Sequence, residues 1–165
     1  MTSQIRYKDA SKGMFFTVRA AEVGTTLLID RIDILRQAVA RTRARRPFGI
    51  EAWVVLPDHM HCVWTLPPDD SNYSERWGMI KSQVTLALRG GARFRAAGDL
   101  PLFSNNQTPI WRKSFKRRVL PDTAAITAAI ERCWYEPVKH GFTETPEDWL
   151  FSSIHRDRRL GRHPA

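Results

Sequence analysis

Four short segments of the chain are rich in aromatic and β-branched residues, which is the composition of β-strands. They cover residues 14–21 (MFFTVRAA), 49–56 (GIEAWVVL), 59–66 (HMHCVWTL) and the strongly basic residues 114–120 (SFKRRVL). Pro57 and Asp58 separate the second segment from the third, and this residue pair is typical of a turn. The short separation predicts a β-hairpin.

Three further segments place apolar residues three or four positions apart, which is the pattern of an amphipathic helix. They cover residues 30–46, 74–88 and 123–136. Asp122 is expected to cap the third helix through its carboxylate. Pro47 is expected to end the first helix and Pro137 the third, because proline lacks the backbone N–H that an interior helical position needs.

The elements follow one another in the order β-α-β-β-α-β-α, which predicts the split βαβ arrangement of ferredoxin-like folds. The expected class is α+β: an antiparallel βαββαβ sheet with helices on one face and an extra C-terminal helix. With 165 residues, 42% of them hydrophobic, residues 1–165 suit a single domain. In this scheme residues 90–109 form a loop insertion and residues 157–165 a basic tail.

Positive charge is concentrated in three parts of the chain. The 26 lysine and arginine residues exceed the 17 acidic residues, which gives a formal net charge of +9. A basic domain attracts polyanions, and arginine pairs two phosphate oxygens at once, so the pattern indicates nucleic-acid binding, although each cluster also fits a solvated surface. The residues expected to bind DNA are Arg43, Arg45, Arg46, Arg112, Lys113, Lys116, Arg117, Arg118, Arg156, Arg158 and Arg159.

The sequence disfavours a membrane or secreted protein. No apolar run is long enough to cross a bilayer, and the N-terminus shows no secretory signal. The two cysteines are Cys62 and Cys133, and we expect free buried thiols rather than a disulfide. We therefore expect a cytoplasmic protein with no membrane partner.

His59 and His61 are the candidate metal ligands. They lie two residues apart on the third predicted strand, where alternate side chains share a face, so the imidazoles are expected on one side, roughly 7 Å apart along the chain. Such a pair suits one divalent cation, with other positions left for carboxylate, amide or water. The same spacing also arises by chance. No spacing typical of ligands surrounds the other histidines, His140, His155 and His163.

Five segments, in the same order, resemble motifs of one known family. They are WVVLPDHMHCVWTLP at 53–67, ERWGMIKS at 75–82, IWRKSF at 110–115, EPVKHGF at 136–142 and PEDWLFSSIHR at 146–156. Together they are similar to the IS200/IS605-like transposases, which are HUH-type enzymes with a single tyrosine (Y1). The nearest group is the REP-associated tyrosine transposases, and the resemblance extends over most of the chain.

The resemblance implies a ferredoxin-like domain that binds and processes single-stranded or hairpin DNA in DNA transposition. In that family, two strand histidines and a third ligand on the last helix hold Mg²⁺ or Mn²⁺. A helix tyrosine attacks the scissile phosphate and leaves a 5′-phosphotyrosine; the cation offsets phosphate charge, and the tyrosine conserves bond energy for rejoining. The resemblance also implies a monomer, with a homodimer as the alternative.

The sequence departs from this family at the nucleophile. Alignment on Pro137 puts Arg132 at the tyrosine position and Glu136 at the position of the third ligand. A guanidinium stays protonated and would bind phosphate, whereas a carboxylate is a good ligand for Mg²⁺ or Mn²⁺. The two residues would equally form an ordinary i, i+4 salt bridge on a helix surface.

Tyr135 is the nearest tyrosine, and it lies nearly opposite the apolar stripe of its helix. This placement favours exposure or stacking on DNA; as a catalytic residue, Tyr135 would be a nucleophile shifted by three positions. Three functions follow: a transposase that nicks and rejoins DNA, a catalytically impaired relative that only binds DNA, and a nuclease that uses a metal-activated water.

Overall fold

The computed structural model describes residues 13–90 and 109–162. The strands are β1 (Gly13–Arg19), β2 (Gly49–Val55), β3 (His59–Thr65) and β4 (Lys116–Leu120). The helices are α1 (Leu27–Asp30), α2 (Ile32–Arg45), α3 (Tyr73–Leu88), α4 (Thr123–Lys139) and α5 (Ile154–Arg159), with one 3₁₀ turn at Pro146–Asp148. Most of the predicted loop insertion, residues 91–108, lies outside the described ranges.

The four strands form one antiparallel sheet in the order β2-β3-β1-β4. The predicted hairpin is present: β2 pairs with β3, and the Leu56 N–H donates to the His59 carbonyl at 2.8 Å across the turn. The α+β class and the ferredoxin-like order of elements are therefore confirmed. Strand β3 is central, because both β1 and β2 pair with it.

The sheet carries helices on both faces. Helices α2 and α3 cover one face, where Leu35 and Trp77 pack with Trp64 of β3 in the larger cluster of buried side chains. Helix α4, the extra C-terminal helix, covers the other face, where Cys133 packs with Phe15 of β1. The predicted helices share one face, and the extra helix lies opposite them. Both cysteines are free and buried, as expected.

Helix α4 continues through Pro137 to Lys139, so the predicted end at Glu136 is wrong. Pro137 lacks the N–H that would donate to the Cys133 carbonyl, but its φ is compatible with a helix. The backbone pairs again beyond it, where the His140 N–H donates to the Glu136 carbonyl at 3.0 Å. The helix ends at Lys139 and is terminated by Gly141, whose φ of +79° is readily adopted only by glycine. The Phe142 N–H donates to the Pro137 carbonyl at 2.9 Å and the Gly141 N–H to the Val138 carbonyl at 3.0 Å, which is a Schellman cap.

The predicted basic tail begins inside the folded domain. Residues 157–159 belong to α5, and Asp157 is buried, where it accepts a hydrogen bond from Trp134 Nε1 at 3.3 Å. Residues 157–159 of the predicted tail are thus helical, while residues 163–165 lie outside the described ranges. Within the described residues, none of the helices has the length and apolar character needed to cross a membrane.

Candidate metal centre

Three buried side chains converge on the α4 face of the sheet. His59 and His61 come from β3 and Glu136 from α4, and their ligand atoms all lie within 4.8 Å of one another. The alternation of side chains along β3 explains the placement, because residues 59 and 61 face α4 while Met60 packs into the core on the α2 and α3 face. The structure thus brings together the three residues predicted from the sequence.

Each histidine ring is held by a hydrogen bond at its Nδ1 atom. His59 Nδ1 donates to Asp58 Oδ1 at 2.6 Å, and His61 Nδ1 pairs with Thr17 Oγ1 at 2.9 Å. Such hydrogen bonds fix the ring orientation and leave Nε2 for a metal. His61 Nε2 lies 3.5 Å from Glu136 Oε2, and His59 Nε2 is buried with no hydrogen-bond partner among the described residues.

The protonation states fit a cation site. Burial lowers the pKa of His59 and of His61 and outweighs the opposing effects of Asp58 and Glu136, so both imidazoles are neutral at pH 7. Burial by itself would raise the pKa of Glu136, but the neighbouring His61, Lys139 and Arg132 lower it overall, so this carboxylate is ionised. Two neutral nitrogens and one carboxylate suit a divalent metal ion.

His140 contacts Glu136 and His59 of this group, although no ligand spacing in the sequence indicates it. Its Nε2 lies 3.1 Å from Glu136 Oε2, and its ring centre lies 5.1 Å from that of His59. The signal in the sequence is the i, i+4 spacing of Glu136 and His140, which has meaning only if the helix continues past Pro137. The predicted helix ends at Glu136, so it does not include this pair.

Arg132 also contacts Glu136, with Nε 3.4 Å from Oε1. The i, i+4 pair considered from the sequence is therefore present, but it is not a surface pair, because Glu136 is only 3% exposed. The Arg132 guanidinium lies 5.1 Å from the ring centre of Phe15, and Phe15 stacks on His61 at 5.5 Å. Arg118 of β4 lies over the same ring at 5.4 Å. Two guanidinium groups thus lie over the Phe15 ring, which stacks on His61 of the candidate metal site.

Neither described tyrosine belongs to the cluster. Tyr135 is 53% exposed, because Ala129, Cys133 and Glu136 form the buried face of α4. Tyr73 packs against Phe16 on the opposite side of the sheet. The third tyrosine, Tyr7, lies outside the described residues.

The basic residues predicted to bind DNA fall into two groups. Eight are exposed: Arg45, Arg112, Lys113, Lys116, Arg117, Arg118, Arg158 and Arg159. The other three are partly buried and bind groups of the protein itself. Arg43 donates to the Phe48 carbonyl, Arg46 pairs with Asp70 and Glu75, and Arg156 donates to the Ile50 and Glu51 carbonyls. DNA binding by either group stays a prediction.

Comparisons with known proteins place the chain in a family. A scan against protein-family models gave no match. The REP-associated tyrosine transposase of Escherichia coli (strain K12) is 35% identical over 164 residues, which cover 99% of this chain and 89% of the relative. A Haemophilus influenzae protein assigned to the same group is 32% identical over 164 residues, covering 95% of this chain and 89% of that protein.

A solved structure shares the fold. It is described as a REP-associated tyrosine transposase bound to a REP hairpin, with a TM-score of 0.80 and 35% sequence identity. The match covers 99% of this chain and 89% of that one. Sequence identity over nearly the full length and a common fold agree. The chain belongs to the family of REP-associated tyrosine transposases.

Proposed function

We propose that this protein binds hairpin DNA and holds a phosphate of an adjoining unpaired strand at the cluster of His59, His61 and Glu136, as a transposase-like protein. The observation that carries the proposal is the convergence of these three buried ligands beside the guanidinium groups of Arg132 and Arg118. The family relation supports it, since a relative of the same fold has been solved with a REP hairpin bound.

The cluster would hold Mg²⁺ or Mn²⁺, because a carboxylate and two imidazoles accept either ion. The buried Nε2 of His59, which has no partner among the described residues, supports this fit. When bound, such a cation would polarise the phosphoryl group and offset its charge. Asp58 and Thr17 keep the histidine rings oriented towards the cation, and Arg132 binds a phosphate oxygen beside it.

Arg132 at the position of the family's tyrosine leaves two main forms of this function. A guanidinium binds phosphate but supplies no hydroxyl, so the protein either uses a tyrosine from elsewhere, with Tyr135 the nearest, or binds DNA without cutting it. A third possibility is hydrolysis by a metal-activated water at the same cluster, which needs no covalent intermediate. We propose a monomer that meets its DNA in the cytoplasm, with a homodimer as the alternative.

One experiment separates the three forms. End-labelled hairpin DNA with unpaired flanks is incubated with the protein and Mn²⁺, and the products are resolved on denaturing gels. A protein-linked DNA band indicates a tyrosine nucleophile, and cleavage without a link indicates water. Retention of intact DNA on a parallel native gel indicates a binding protein. Absence of any interaction with hairpin DNA, with or without Mn²⁺, would contradict the proposal.

A further inference from the structure

Both oxygens of the buried Glu136 carboxylate already have partners. Oε1 lies 3.4 Å from Arg132 Nε, whereas Oε2 lies 3.1 Å from His140 Nε2 and 3.5 Å from His61 Nε2. Among the described residues, Arg132 is the only permanently charged group in contact with this carboxylate. A divalent cation that binds Glu136 therefore meets a positive group that is already paired with it.

The guanidinium of Arg132 is not tied to Glu136 alone. The Arg132 side chain is 46% exposed, and its 3.4 Å separation from Glu136 is long for a charge-assisted hydrogen bond. The same guanidinium lies 5.1 Å from the ring centre of Phe15, and this contact does not depend on the carboxylate. Arg132 can therefore leave Glu136 and still remain beside the candidate metal site.

Positive charge prevails at the candidate metal site before any metal is bound. Arg118 lies over the Phe15 ring as Arg132 does, is exposed, and forms no hydrogen bond or ion pair within the described ranges. Burial lowers the pKa of both strand histidines, and the charge of Arg19 on β1 lowers it further. Three guanidinium groups thus face two carboxylates, those of Glu136 and Asp58. A divalent cation adds to this excess, which an anion beside the guanidinium groups would offset.

We infer that Arg132 and a divalent cation compete for Glu136, and that the displaced guanidinium, together with Arg118, binds the DNA phosphate beside the cation. Metal and phosphate then strengthen each other's binding, because each of them breaks the same ion pair and the second to bind no longer has to break it. Without DNA, the ion pair keeps metal binding weak. The inference rests on the proposed function, which places a phosphate at this site.

The first test measures the competition without DNA. Isothermal titration calorimetry gives the Mn²⁺ affinity of the parent, of Arg132→Gln and of Lys139→Gln, and circular dichroism checks that each is folded. Lys139 is the matched control: it is exposed on the same helix and acts on Glu136 through its charge, but it forms no ion pair with Glu136 among the described residues.

Arg132→Gln should bind Mn²⁺ about tenfold more tightly than the parent, a size usual for coupled sites, and Lys139→Gln less than about threefold more tightly. Lys139→Gln loses the same charge but releases no ion pair. Unchanged or weaker Mn²⁺ binding by Arg132→Gln overturns the inference, because Arg132 would then support Glu136 as a ligand. Equal tightening in both variants also overturns it, because charge alone would then explain the effect.

The second test measures the coupling between metal and phosphate. The titrations are repeated with a saturating hairpin that carries unpaired flanks, and with the same hairpin whose flanks have neutral methylphosphonate linkages. The gain in Mn²⁺ affinity from charged flanks should be about tenfold larger in the parent than in Arg132→Gln, where only the direct attraction between cation and phosphate remains. Lys139→Gln should show the parental gain. An equal gain in all three proteins overturns the inference.

NMR spectroscopy observes Arg132 directly in the parent protein. The Nε–H signal of Arg132 is identified by its absence from the spectrum of Arg132→Gln, and Mg²⁺, which is diamagnetic, is added to the parent without DNA. The signal should move as Glu136 is taken by the cation. An Arg132 signal that stays constant at saturating Mg²⁺, in a protein that binds the hairpin, overturns the inference alone. If the parent binds neither form of the hairpin, the proposed function fails.

Discussion

Glu136 is the only acidic residue among the three candidate metal ligands His59, His61 and Glu136. It is 3% exposed, and its two oxygens contact Arg132 at 3.4 Å and His140 at 3.1 Å. A buried carboxylate needs such partners, because burial without them favours the protonated form. A divalent cation bound by His59, His61 and Glu136 would place further positive charge beside the Glu136 carboxylate.

Loss of the histidine nitrogens should abolish divalent metal binding. Both rings are buried and hydrogen-bonded, so glutamine, which keeps most of the volume, is a cleaner replacement than alanine. We expect His59→Gln/His61→Gln to lose Mn²⁺ binding, measured by isothermal titration calorimetry, and to remain folded by circular dichroism. His155→Gln is the control, since His155 Nε2 pairs with the Trp149 carbonyl. Unchanged Mn²⁺ affinity in the double variant would show that the cluster is not the site.

Replacement of Arg132 by tyrosine should restore a hydroxyl next to the cluster. Arg132 already contacts Glu136 from the preceding turn of α4, so Arg132→Tyr places the phenol at the same helical position. We expect the parent to form little covalent DNA adduct and Arg132→Tyr to form some, scored as a protein-linked band on denaturing gels with Mn²⁺. Tyr135→Phe should change nothing, because Tyr135 lies on the exposed side of the helix. A strong parental adduct that Tyr135→Phe removes would instead identify a shifted nucleophile.

For single residues, the sequence predicts which face of a strand or helix a side chain occupies, because periodicity determines the face. Alternation along β3 is enough to place His59 and His61 on one face. It gives no indication that Thr17, 44 positions away in the chain, pairs with His61, because that contact depends on the register between β1 and β3. His140 was missed for a different reason, namely an incorrect helix end.

The C-terminal cap of α4 is the element that brings His140 to the cluster. Proline is a strong helix breaker in an interior turn, and this rule misplaced the end of the helix at Pro137. The actual signal is Gly141 followed by Phe142, which completes a Schellman cap one turn later. Elements are thus predicted well from apolar spacing, whereas their ends depend on local capping.

Alanine at two glycines should separate backbone strain from helix propensity. Gly141 has a φ of +79°, and a methyl group at this position would meet open space, so Gly141→Ala should cost about 1 kcal/mol of unfolding free energy through strain alone. Gly78 lies exposed within α3, also with open space beside it, so Gly78→Ala should stabilise by up to about 1 kcal/mol. Urea denaturation measures both changes. Equal effects of the two substitutions would contradict the assigned cap.

The arrangement of the whole molecule follows from its element order only in part. The order of strands and helices predicts the sheet, because sequential antiparallel strands and right-handed crossovers leave few alternatives. It does not predict that residues 151–153 add to the β2 edge, or that α5 buries Asp157 against Trp134. Trp53 and Ser153, for example, are 100 positions apart in the chain. Patterns of neighbouring residues carry no information about contacts at such separations.

Salt dependence of DNA binding should distinguish exposed cations from those with internal partners. Lys116 and Arg118 are exposed on β4, opposite Thr17 and Phe15 of the cluster side, whereas Arg46 is paired with Asp70 and Glu75. Each phosphate that a cation neutralises adds roughly 0.7 to the slope of log affinity against log salt for single strands. Lys116→Gln/Arg118→Gln should therefore lower the slope by roughly 1.4. Arg46→Gln should lower the slope by less than the contribution of one phosphate, because the carboxylates beside Arg46 already offset its charge.

Anisotropy titrations with a hairpin carrying unpaired flanks, at several salt concentrations, give both slopes. A larger change for Arg46→Gln than for the β4 double variant would show that DNA crosses the surface of α2 and not the edge strand beside the candidate metal site.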